Sequence, residues 1–156
     1  MKTMNITINF DMDGTIADLY ANPNWLPMLR AFDPTPYATA KPLLRLNTLA
    51  RKLNELQKQG YEIAVISWLS KESNPTFDRK VCQAKIDWLR SYDFPFDEFH
   101  GIAYGVPKEL SINSALRAGE TALLIDDSAE VRNEWHAGEA IDPTTCDIIE
   151  VLRNLL

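Results

Sequence analysis

Residues 5–15 read Asn5-Ile6-Thr7-Ile8-Asn9-Phe10-Asp11-Met12-Asp13-Gly14-Thr15, and the reading of the whole chain turns on them. Ile6, Ile8 and Phe10 alternate with polar residues, the period of a strand, and the run stops at a carboxylate. Asp13 follows two residues later, and Gly14 permits a sharp turn that Thr15 can fasten. An aspartate ending a strand can attack phosphorus, because a carboxylate nucleophile splits one hard displacement into two easier ones. A second carboxylate two residues on can protonate the leaving oxygen and then activate water. Taken alone, Asp-x-Asp-Gly more often marks a turn or a calcium loop. The calcium reading needs further oxygen ligands at loop spacing, and Thr15-Ile16-Ala17 does not provide them.

Outward from this stretch, short apolar runs alternate with helical periodicity, the pattern of a parallel sheet covered by helices. Asp18 to Pro42 holds five of the nine prolines, which predicts an irregular excursion with one short helix near Trp25 to Arg30. Leu46, Leu49, Leu53 and Leu56 share a helical face that Gly60 ends. Tyr61 to Ile66 reads as a second buried strand, with Ser67-Trp68 at its carboxyl end, and a helix follows over about Asp78 to Tyr92. Phe99 to Ala103 is a weaker strand, and Pro107 suits the first turn of a helix running to Gly119. Thr121 to Ile125 is a clear strand ending at Asp126-Asp127. Asp127 or Ser128 can cap a helix carrying Val131 and Trp135. A short strand near Ala140-Ile141 and a helix from about Asp147 close the chain. The expectation is one α/β domain over residues 1–156, with a three-layer Rossmann-like fold and a central parallel sheet of about five strands. A small proline-rich insertion at about 18–41 would serve as a minimal cap.

At 156 residues the chain can bury a sizeable core without a metal or disulfide. It has 16 basic against 22 acidic side chains, a net charge of −6, which argues against a nucleic-acid polymer or an anionic membrane as partner. A single phosphate group remains compatible, because one cation can reverse the sign locally. Cys82 and Cys146 carry no partner motif and fit reduced thiols, and the polar start does not resemble a signal peptide, so a cytoplasmic location is expected. His100 and His136 lack metal-ligand spacing.

Asp11 with Asp13, Ser67, and Asp126 with Asp127 all end apolar strands, the edge where open α/β sheets bind ligands. If the Asp11 and Asp126 strands are neighbours, these carboxylates share one crevice, where they would raise one another's pKa values unless a hard cation such as Mg²⁺ joined them. Asp-Met-Asp-Gly-Thr after a strand resembles the first motif of the haloacid dehalogenase superfamily of phosphohydrolases. The order Asp11/Asp13, Ser67, a lysine, then Asp126/Asp127 resembles that family's order from Asn5 to Ser128. The chain is most similar to the 5′(3′)-deoxyribonucleotidase-like group, through Ile125-Asp126-Asp127-Ser128 and Lys85-Ile86-Asp87-Trp88-Leu89, although that group's four-helix cap is missing.

The resemblance implies a Mg²⁺-dependent phosphomonoester hydrolase working through an aspartyl-phosphate. Asp11 would be nucleophile and metal ligand, and Asp13 the acid–base with its backbone carbonyl on the metal. Ser67 would bind a phosphoryl oxygen, a lysine would neutralise charge, Asp126 would ligate the metal, and Asp127 would act beside it. Lys108 is favoured over Lys85 as that lysine, because Lys85 sits mid-helix where it can snorkel along the surface. A small phosphorylated molecule is the expected substrate, with a nucleotide the first to consider, and a homo-oligomer is compatible. The alternative is a non-catalytic Mg²⁺- or phosphate-dependent switch. Receiver domains hold a similar inventory in another order, without an acid–base two residues after the phosphorylated Asp. A phosphotransferase would need to exclude water better than so small a cap can. Trp25, Phe32 and Tyr37 read first as packing for the excursion and second as a lid that stacks on a base.

Overall fold

The computed structural model describes residues 4–112 and 116–155. Five strands form one parallel sheet: β1 (Met4–Phe10), β4 (Glu62–Trp68), β5 (Glu98–Ile102), β6 (Glu120–Ile125) and β7 (Ala140–Ile141), in the spatial order β5-β4-β1-β6-β7. The chain leaves β1 toward β4 and β5, then returns to build β6 and β7 on the other side. The strand order therefore reverses between β1 and β6, and Phe10 lies beside Ile125 in their ladder. Asp11 and Asp126 thus leave neighbouring strands at one edge, where such a reversal opens a crevice.

Alternation along β1 divides the core. Ile8 and Phe10 join Ile63, Val65, Leu123 and Ile125 on the face covered by α3 (Leu46–Lys58) and α6 (Ile148–Arg153). Leu46, Leu49, Leu53 and Leu56 are the buried stripe of α3, and Gly60, at φ +101°, turns the chain into β4. On the opposite face Ile66, Ala122 and Leu124 pack with Val131 of α5 (Ala129–Asn133) and with Trp135, just past its end. Helices on both faces of a parallel sheet make the three-layer, Rossmann-like α/β arrangement. Among the described residues no helix is long and apolar enough to cross a membrane.

The proline-rich excursion carries more order than its composition predicts. The helix at Trp25–Arg30 (α1) is there, but so is a second, α2 (Thr35–Thr39), with Pro36 in its first turn where a missing N–H costs nothing. A two-residue antiparallel ladder, β2 (Ala17–Asp18) with β3 (Lys41–Pro42), closes the base of the insertion. Leu19, Leu29 and Tyr37 pack on Phe77 and Val81 of α4 (Pro75–Ser91), so this segment has a small core of its own.

The helix expected from Pro107 to Gly119 does not form as read. The described part is a 3₁₀ turn at Lys108–Ser111; Leu116 and Arg117 are not helical, and residues 113–115 lie outside the described residues. Two anchors explain the short turn. Trp68 Nε1 donates to the Val106 carbonyl at 2.8 Å, and the buried Lys108 side chain is drawn under the sheet edge. Ser111, with low helix propensity, offers little to extend it.

Candidate active site

The loop after β1 is shaped by Gly14, whose φ of +86° is open to glycine and strained for other residues. A Cβ there would come 2.5 Å from Asp127 Oδ2, so the glycine also makes room for the second strand-end carboxylate. The turn is tied by Ile16 and Ala17 N–H groups donating to the Met12 carbonyl at 2.9 and 3.0 Å. Thr15 Oγ1 donates to Asp11 Oδ2 at 2.8 Å and accepts from the Asp127 N–H at 3.2 Å, which joins the loops after β1 and β6.

Asp11 is buried at the tip of β1. Its Oδ1 accepts from Lys108 Nζ at 2.7 Å, and the same ammonium donates to Asp126 Oδ2 at 2.7 Å. Asp126 Oδ1 is held by the Ser128 N–H at 2.9 Å, and Ser128 caps α5 by accepting from the Val131 N–H. Arg132 donates to the Asp126 carbonyl at 2.9 Å and pairs with Asp142, which holds this loop against the end of β7. Asp13, Ser67 and Lys85 form a second cluster. Lys85 Nζ donates to Asp13 Oδ2 at 2.8 Å, to Ser67 Oγ at 2.6 Å and to the Trp68 carbonyl at 3.0 Å.

The electrostatics follow from four carboxylates, Asp11, Asp13, Asp126 and Asp127, at one edge of the sheet. Burial pushes Asp13 above the usual carboxylate range; the Lys85 ammonium pulls it back, and the Asp11 charge adds to the rise. Asp126 is raised by burial and by Asp11, against the pull of Lys108. Asp127 is pushed up to about 7 by burial, by its hydrogen bond with Asp11 and by the charges of Asp11 and Asp126. Burial alone would lower Lys108, but the charges and hydrogen bonds of Asp11 and Asp126 outweigh it and raise its pKa. One carboxylate oxygen from each of Asp11, Asp126 and Asp127 lies within 4.8 Å of the other two. Three carboxylates against the Lys108 ammonium leave an excess of negative charge. An all-oxygen donor set of this kind suits a hard divalent cation, so these residues fit Mg²⁺. The Asp13 side chain stands apart from this trio, on Lys85.

A cavity of about 490 Å³ opens above these groups, within the range of small-molecule sites. Asp11, Asp13, Lys108, Asp126 and Asp127 line its floor; Tyr20, Trp25 and Arg30 of the insertion form one wall, and Trp68, Lys71 and Tyr104 another. Tyr37 lines the cavity as well as packing in the insertion's core, whereas Phe32 stacks edge-on against Phe77. Ser67 is buried and does not line the cavity.

The structure thus brings Asp11, Asp13, Ser67, Lys108, Asp126 and Asp127 to one edge of the sheet. Lys85 is the correction. It does not snorkel but is fully buried, with its ammonium inside the site. Its neighbours Val81 and Trp88 in the apolar stripe of α4 put position 85 on the inner face, and that spacing is the signal that could have found it. Thr15 was read only as a turn fastener, yet it also holds the Asp11 carboxylate.

No protein-family model matches the chain, and no curated protein matches it. Among solved structures it is similar to a chain of the Pnkp1/Rnl/Hen1 RNA repair complex, with 18% identity and a TM-score of 0.57. The likeness covers 90% of this chain and 42% of that one, so this chain spans less than half the neighbour's length. At that identity the likeness shows the shared α/β fold.

Proposed function

We propose that this chain is a Mg²⁺-dependent phosphomonoester hydrolase of the haloacid dehalogenase type, with Asp11 as the nucleophile that carries the phosphoryl group. The observation that carries the reading is the placement of Asp11. Its carboxylate ends a strand at the floor of a cavity, fixed by Lys108 on one oxygen and Thr15 on the other, beside Asp126 and Asp127. A nucleophile held by two hydrogen bonds is pre-oriented for in-line attack. Bound Mg²⁺ would be held by Asp11, Asp126, Asp127 and the Asp13 carbonyl, and would supply charge neutralisation at the phosphoryl oxygens.

An Asp11 oxygen bonds to phosphorus as the ester P–O bond breaks, and Asp13 gives its proton to the departing oxygen. Burial pushes Asp13 above the usual carboxylate range, which favours the protonated form that the first step needs. Asp13, now ionised, takes a proton from water as the water oxygen bonds to phosphorus, and the P–O bond to Asp11 breaks. Lys108 offsets the charge that develops at Asp11 as that bond breaks, and the buried Ser67 hydroxyl, which accepts from Lys85 and does not line the cavity, steadies the ammonium beside Asp13.

The aromatic walls at Trp25 and Trp68 favour a substrate with a planar ring, which supports a nucleoside monophosphate. The test is a phosphate-release screen with Mg²⁺ over nucleotide, sugar and headgroup monophosphates. It should include a phosphorylated oligonucleotide end, because the structural neighbour belongs to an RNA repair complex. Release from at least one small monophosphate is expected; none across the screen would favour the switch reading.

A further inference from the structure

Lys85 is a fully buried lysine that does not line the cavity, so substrate does not reach it. An ammonium has three protons, and Asp13 Oδ2, Ser67 Oγ and the Trp68 carbonyl take all three, at 2.8, 2.6 and 3.0 Å. The Tyr37 ring covers the same nitrogen at 4.5 Å from its centroid, and the Tyr37 hydroxyl is tied to Ser70 Oγ at 2.8 Å. One side chain of α4 therefore joins the loop after β1, the end of β4 and the insertion. Stability alone gives no reason for a charge here, since apolar residues of similar volume commonly serve a buried ion pair's place as well.

We infer that Lys85, anchored on the Ser67 hydroxyl and the Trp68 carbonyl, is a positioning residue that fixes the Asp13 carboxylate in one geometry for phosphoryl transfer; the inference rests on the hydrolase reading above. Lys85 engages one Asp13 oxygen and so sets the plane of a carboxylate that still lines the cavity. In the first step the P–O bond to the leaving group breaks, and an alkoxide needs the Asp13 proton as it departs. An aryl oxide such as 4-nitrophenolate leaves without one. In the second step Asp13 removes a proton from the attacking water whichever substrate was used.

These steps separate positioning from a merely structural role. In Lys85→Met, kcat/KM for an alkyl monophosphate should fall on the order of 10²-fold, the scale of a displaced general acid. For 4-nitrophenyl phosphate kcat/KM should hold within about fivefold, while kcat and KM fall together and a burst of 4-nitrophenolate precedes slow turnover. Asp13→Asn should show the same signature, and adding Lys85→Met to it should cost little more. Mg²⁺ affinity by calorimetry should not fall, because Lys85 hydrogen-bonds none of the Asp11, Asp126 and Asp127 side chains and its loss removes a positive charge from the site. Lys85→Gln is the second variant, should the methionine variant fail to fold. Equal losses of kcat/KM on both substrates, or failure of both variants to fold, would assign Lys85 to the fold and overturn the inference while leaving the hydrolase reading intact. A wild-type protein inactive on both substrates would overturn the hydrolase reading and this inference with it.

Discussion

Lys108→Met removes a buried ammonium from between Asp11 and Asp126, each 2.7 Å from it, and leaves their carboxylates facing each other beside Asp127. Lys108 is only 4% exposed and Asp126 1% exposed, so water from the cavity can only partly take the lysine's place. Breaking a buried pair by removing one partner costs about 3–5 kcal/mol. At about 2–4 °C per kcal/mol for a chain of this size, the melting temperature in EDTA should drop by roughly 6–20 °C. Mg²⁺ should restore much of the loss, because a cation at about 100 times its Kd adds about 2.7 kcal/mol. The variant holds one positive charge fewer near the trio, so Mg²⁺ should raise its melting temperature more than that of the wild type. Lowering the pH should also help the variant in EDTA, since protonating one carboxylate relieves the repulsion. The assay is thermal unfolding of both proteins in EDTA and in Mg²⁺ across pH 6–8. Equal stability of the two proteins in EDTA, or an equal Mg²⁺ shift in both, would refute the reasoning.

Gly14→Ala should cost about 1–3 kcal/mol for backbone strain and weaken Mg²⁺ binding, because the new Cβ would displace the Asp127 carboxylate 2.5 Å away; calorimetry with unchanged affinity would count against this. Asp127, raised to about 7 when folded, binds its proton more tightly folded than unfolded. Without metal its contribution to stability is therefore present at low pH and is lost as pH rises from about 4 toward about 7. Melting curves in EDTA should show that slope, Asp127→Asn should flatten it, and Mg²⁺ affinity should grow with pH over the same window as the proton is displaced. Trp25→Ala should raise KM for a nucleoside monophosphate by about tenfold, the lower end of what base stacking contributes, and leave KM for a small alkyl phosphate near the wild-type value. Equal changes for both substrates would place Trp25 in the fold rather than against a ring.

The strand ends at Phe10-Asp11 and Ile125-Asp126 were legible because an apolar run, alternating in β1 and continuous in β6, stops abruptly at a carboxylate, whereas β4 runs on through Ser67 to Trp68, two residues past the expected end. Such a break states both where the strand stops and what it presents. The adjacency of β1 and β6 could only be supposed, since no local feature of either strand names its neighbour. Lys85 was misplaced because a lysine on a helix reads as surface by default. Its partner Asp13 is 72 residues away, and only the fold brings them together. The helix α2 was hidden by proline density, since Pro36 counts as a breaker in composition yet occupies a first turn that tolerates it. The segment after Pro107 erred the other way. The helix-start signal was real, but the tertiary hold on Lys108 and Val106 kept the turn short.

The central claim is that Asp11 bonds to phosphorus. The direct measurement is mass spectrometry of protein quenched in acid during turnover of 4-nitrophenyl phosphate with Mg²⁺, using Asp13→Asn to slow the second step without slowing the first. The account predicts a phosphoryl group on Asp11 in that variant, and neither adduct nor phosphate release in a folded Asp11→Asn protein. Phosphate release by Asp11→Asn at the wild-type rate would contradict it.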